Sequence, residues 1–169
     1  VGIDSIIAEA KVAKMTFYKH FKSKDLLIER VLNERVVILK QDILDFISTR
    51  STALAKLRAI FDWHQIWYKS NDFHGCMFIK AMGEYPESNS NMRTAARNYK
   101  QWLTSLISEL IANILGKKNS DLPPVILAIL DGLTINCSLF PETTEDRVKQ
   151  SWLHVHSLIK SKKTTKASA

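Results

Sequence analysis

From Lys11 to Asp25 the chain reads KVAKMTFYKHFKSKD, and five lysines precede its first acid. Phe17, Tyr18, His20 and Phe21 are interleaved among them. A plain solvated charge run accounts for the lysines but not for the aromatics. Immediately upstream, IDSIIAEA has the apolar spacing of one short helix. Two short helices joined by a tight turn, the second rich in basic and hydroxyl side chains, are what a helix-turn-helix needs to place one helix in a DNA major groove.

The phrase Thr16-Phe17-Tyr18-Lys19-His20-Phe21-Lys22-Ser23-Lys24-Asp25-Leu26-Leu27 resembles the end of the DNA-binding region in the tetracycline-repressor (TetR) family of bacterial transcription regulators. That family's pattern is roughly Thr-hydrophobic-Tyr-x-His-Phe-x-Ser-Lys-acid-x-Leu. Ile6, Ala10 and Val12 match its apolar positions, so the resemblance covers about the first 30 residues. The rest of the chain is similar to the family only in being helical and of suitable length.

The resemblance implies an all-α chain. A helix-turn-helix head with the start of a linking helix is expected over 1–46, a helical ligand-binding and dimerisation domain over 47–160, and a basic disordered tail over 161–169. It also implies a further helix ahead of Val1, packed under the motif, so the head is expected to be incomplete at its N-terminus. Gly2 stands where the family has a Ser or Thr cap, and Ala13 where it has a Ser cap. Lys11 replaces the usual turn glycine, so the turn either avoids a positive φ or accepts strain.

The same resemblance points to Lys14, Thr16, Tyr18, Lys19, His20 and Lys24 as the DNA-facing set. Lys14 and Thr16 open the recognition helix, where side chains meet base edges or nearby phosphates. Tyr18 and Lys24 match positions that hydrogen-bond the phosphate backbone, and Lys24 lies at a helix N-terminus already favourable for phosphate. Phe17 and Phe21 read as core of the head, Lys11 and Lys22 as general electrostatics.

At 169 residues, 46% of them hydrophobic, the chain suits one unit or a small head on a larger body. A net charge of +7 favours polyanion partners without choosing among DNA, RNA and a membrane surface. No secretory signal or run long enough to cross a bilayer is evident, and no membrane partner is expected. Cys76 and Cys137 alone make no disulfide framework, so a cytoplasmic setting is the default.

Downstream of the motif almost everything repeats at helical spacing. Ser23 can cap a long helix running to about Ser48, with Ile28, Leu32, Val36, Leu39, Ile43 and Phe46 on its apolar stripe. Such a helix begins at the head and ends inside the body. Further helices are expected at about 52–69, at 73–84 ended by Pro86, and at 89–115 with Gly116 as its stop. The stripe expected in the last of these is Met92, Ala95, Tyr99, Trp102, Leu106 and Leu110. A helix over 122–140 is apolar nearly all round, with Asp131 its only charge, and must be covered. With a helix over 143–160 it would form the four-helix homodimer interface that the resemblance implies, the alternative being a purely intramolecular core.

Trp63, His64, Trp67, Phe78, Met82, Tyr99 and Trp102 would line a mostly apolar cavity for a small apolar or aromatic effector, with Asn136 facing that pocket or tying two subunits together. Aromatics at helical spacing also read as plain core, and His64 as a satisfied core histidine. Cys76 near His74 raises a redox or electrophile sensor, against an inert buried thiol. His154-x-His156 is a poor metal pair, and no metal, cofactor or catalytic motif is found. The expected function is a ligand-responsive DNA-binding regulator, a homodimeric repressor on a pseudo-palindromic operator, and not an enzyme. The alternative is a helical small-molecule-binding module with impaired DNA binding.

Overall fold

A computed structural model describes residues 2–87 and 90–164, and among these the regular elements are all helical. Helix α1 (Ile3–Ala10) ends at Lys11, which turns the chain with φ 53° and ψ 39°. The turn therefore carries the left-handed strain that a glycine would have spared it. Helix α2 (Lys14–His20) follows, and its N-cap Ala13 supplies no side-chain bond.

Ser23 then caps α3 (Lys24–Ser48), its Oγ accepting the Leu26 N–H at 3.2 Å. Asp25 adds a carboxylate to the first turn, where the helix dipole favours it. Leu32, Val36, Leu39, Ile43 and Ile47 are buried along one face. At 25 residues, α3 spans about 37 Å and joins the head to the body without a break.

Helix α4 (Ala53–Tyr68) is capped by Thr52. It leads through an irregular stretch to α5 (Met77–Glu84). The helix expected from residue 73 thus starts at Met77, because Gly75 takes φ +87° and breaks the helical path ahead of it. Helix α6 (Asn91–Leu115), capped by Ser90 and ended by Gly116 at φ 68°, contacts α3, α4, α5, α7 and α8. Its expected start at Asn89 lies outside the described residues. Its buried line passes from Tyr99 to Leu103, Ile107 and Ile111, leaving Trp102 and Leu106 half-buried. So central a helix buries a wide front rather than one stripe.

Helix α7 (Leu122–Leu139) begins where Asn119 Oδ1 accepts the N–H groups of Asp121 and Leu122. Contrary to expectation it is long and apolar enough to cross a bilayer, with mean hydropathy 1.6 over 18 residues. Its inner face, including Ile126, Leu130 and Cys137, is instead buried in the bundle, and Asp131 pairs with Lys100 of α6. The face bearing Val125, Ile135 and Leu139 remains exposed. A short 3-10 turn leads into α8 (Thr144–Thr164). The tail expected to be disordered from residue 161 is helical as far as Thr164, and 165–169 lie outside the described residues.

Candidate DNA-binding head and effector cleft

In α2 only Phe17 is buried, meeting Tyr18 edge-on at 5.3 Å and Phe21 at 5.9 Å. Lys14, Thr16, Tyr18, Lys19 and His20 are exposed on the same two turns, so one anchored ring presents five polar side chains to solvent. Lys14 Nζ reaches Asp4 Oδ1 of α1 at 3.1 Å, and that bond raises its pKa. Both groups are open to water, so this pair contributes little to stability.

Sequence reasoning missed Met15, which is 86% exposed. At 100° per residue, Met15 and Lys19 each stand about 160° from Phe17 and so point most directly away from the head. The signal was present: the position two before a buried aromatic on a helix faces outward.

Lys24 is the first residue of α3, half-buried beside the Ser23 cap. One residue on, Asp25 Oδ1 accepts a hydrogen bond from Tyr85 Oη at 3.2 Å. A turn further, Glu29 Oε2 accepts from Asn91 Nδ2 at 2.9 Å. Arg93 Nη1 donates to Pro86 O at 3.0 Å and steadies the intervening connection. The base of the head is therefore held by both ends of the α5–α6 connection.

A cleft of about 310 Å³ opens between α3, α4 and the start of α5. Arg35 and Leu39 come from α3, Trp67 from α4, and Met77, Phe78 and Lys80 from α5. Asp72, His74, Gly75 and Cys76 of the irregular stretch complete it.

Of the expected pocket residues, Trp67 and Phe78 line this cleft. Five others stand behind it. Trp63 stacks on Trp67 at 5.8 Å, Tyr99 on Phe78 at 4.9 Å, and Trp102 on Tyr99 at 6.0 Å. Met82 is half-buried and packed against the same core. His64 is 4% exposed, between Trp63 and Trp67, and its Nδ1 bonds Ile60 O at 2.7 Å. Burial pushes its pKa down to about 4, so it is a neutral ring donating from Nδ1.

Asn136 does not line this cleft. It lies in the groove between α7 and α8, near Gln150 and His154, with Nδ2 donating to Gly132 O. Residues 73–76 read as helix in the sequence, which hides the loop they form and the place of His74 in the lining.

Residues 1–31 match the family model described as bacterial regulatory proteins, tetR family. No curated protein matches the sequence. Among solved structures, a TetR-family transcriptional regulator from Streptomyces coelicolor is 26% identical, with TM-score 0.89 over 96% of this chain and 85% of that one. The reduced form of E. coli NemR is 17% identical, with TM-score 0.77 over 93% and 86% of the two chains. A putative TetR-type transcriptional regulator from Streptomyces avermitilis is 18% identical, with TM-score 0.72 over 89% and 87%.

Proposed function

We propose that this chain, a TetR-family transcriptional regulator, acts as a cytoplasmic homodimeric repressor that a small molecule releases from a pseudo-palindromic operator. The observation that carries this reading is the position of α3. Its first residue, Lys24, adjoins the recognition helix, and Arg35 and Leu39 of the same helix line the cleft. Anything that fills the cleft therefore touches the element on which the head is mounted.

In the operator-bound state, Met15, Thr16 and Lys14 would face base edges or nearby phosphates. Tyr18, Lys19, His20 and Lys24 would hold the phosphate backbone. Two heads would read successive major grooves about 34 Å apart. The exposed apolar faces of α7 (Ile135, Leu139) and α8 (Leu153, Leu158) support pairing of two copies through a four-helix interface. An effector would favour the arrangement in which the two heads no longer match the operator spacing. Its leverage equals its differential affinity for the two states.

The test is a binding selection on genomic DNA fragments, followed by affinity measurement over a range of salt. Enrichment of one palindromic site, with affinity falling steeply as salt rises, is the expected result. Salt-sensitive binding with no preferred site would sink the repressor reading. It would favour a small-molecule-binding module instead, which draws support from the thin packing of α1 and α2, where Phe17 is the only buried residue.

A further inference from the structure

The cleft between α3, α4 and α5 carries more cationic than acidic lining. Arg35 and Lys80 face it from opposite helices, with His74 from the connection, against the single carboxylate of Asp72. Asp72 is exposed, whereas Arg35 is half-buried. Among the described residues neither Arg35 nor Lys80 makes an ion pair or a side-chain hydrogen bond. Six other cations have acidic partners, and Arg35 differs from most of the remainder in being half-buried.

A guanidinium drawn partly out of water against Leu39, Trp67 and Phe78, and left without a counter-charge, is stabilised by an anion that brings its own apolar body. The first turn of α5 opens on the same space with no side-chain cap and no acid of its own, so its dipole adds to the positive field. Aromatic and cationic side chains thus share the lining of one cleft of about 310 Å³, a volume suited to a small organic molecule.

We infer that the effector is a small organic acid, its carboxylate held by Arg35 and Lys80 and its apolar body laid against Trp67 and Phe78. The inference rests on the ligand-responsive reading above and names the ligand class for that cleft. It differs from a neutral aromatic effector in a way that can be measured. Because Arg35 is on α3, neutralising it acts on the helix that carries Lys24.

The experiment uses benzoate, 2-naphthoate and octanoate, each beside its primary amide. Binding to the full chain is followed by tryptophan fluorescence and by thermal shift. At least one acid is expected to bind, with its amide about tenfold weaker. Arg35→Met should bring that acid down to the level of its amide, while circular dichroism stays unchanged and Arg35→Lys keeps part of the preference.

Equal binding of acid and amide overturns the inference, as does binding of none of the three acids. Acid preference that survives in both Arg35→Met and Lys80→Met overturns it as well. DNA affinity measured in parallel separates this inference from the regulator reading. Acid-selective binding that leaves DNA affinity unchanged supports the ligand class and removes ligand control of DNA. Release of DNA by neutral compounds alone does the reverse.

Discussion

Tyr85 Oη donates to Asp25 Oδ1 across 3.2 Å, joining the residue that follows α5 to the first turn of α3. Burial and the neighbouring carboxylate both raise the Tyr85 pKa, so the phenol remains a donor through the neutral range. The bond lies one residue from Lys24 and one helix away from the cleft. Tyr85→Phe removes it without changing the ring. Amide exchange over residues 25–29 should speed up about fivefold, corresponding to about 1 kcal/mol, while exchange in the middle of α4 stays as it was. Unchanged exchange at 25–29 would show that the bond does not hold the head.

Lys11 sits at φ 53°, where a Cβ costs roughly 1 kcal/mol or more. Lys11→Gly should therefore stabilise the α1–α2 turn by about 1 kcal/mol, read as slower amide exchange in α1 and α2. Lost cationic charge at the head would weaken DNA binding slightly in the same variant.

His64 provides a pH signature. Its folded pKa of about 4 lies below the ordinary value of 6.5, so the unfolded chain binds the extra proton more readily. The stability that follows is fully present above pH 6.5 and is lost as pH falls towards 4, by up to about 3 kcal/mol. Denaturant titrations at pH 7 and pH 4.5 should show that decline. In His64→Leu the decline should be visibly shallower. An equal slope in both proteins would assign the acid sensitivity elsewhere.

In the head, Lys24→Ala should weaken binding to all sequences alike and reduce the salt slope by about one charge. Met15→Ala should instead change which site is selected, because its side chain is apolar and nearly free of its own protein. Competition between selected and random duplexes, at two salt concentrations, distinguishes the two behaviours.

Ile135 and Leu153 are each about half exposed on α7 and α8. Placing a charge at either, as Ile135→Glu or Leu153→Glu, should leave the helical bundle intact and shift the protein to monomer in analytical ultracentrifugation. Operator affinity should fall with it, since one head makes half the contacts. A dimer that survives both substitutions would place the interface elsewhere.

The head and the long helix were legible because local chemistry specifies them. Ser23 is a cap with few alternatives, and the spacing from Leu32 to Ile43 belongs to one helical face. Gly116 likewise marks a helix end through a conformation other residues resist. The cleft was not legible to the same degree. Trp63, Tyr99 and Trp102 have the composition of a ligand pocket, yet they stack on each other and on the lining residues instead of reaching the opening. Periodicity identifies which residues turn inward but not whether they meet a neighbour or a void. Arg35 was overlooked because, like Arg30 of the same helix, it reads as ordinary surface. Gly75 moved the start of α5 through one positive φ, and so hid the connection that brings His74 to the rim.

The division between rim and wall has a consequence for how this protein can change. The stacked rings behind the cleft belong to the core and tolerate little replacement, since each loss leaves a void in close-packed surroundings. Cys76 is buried and its carbonyl accepts the Lys80 N–H at 3.1 Å, whereas residues 72–75 lie outside the helices and none of them is buried. Recognition can therefore be retuned by trading a few loop side chains, with the scaffold and its attachment to the head left as they are. The molecule pairs a close-packed frame with a rim whose side chains are replaceable.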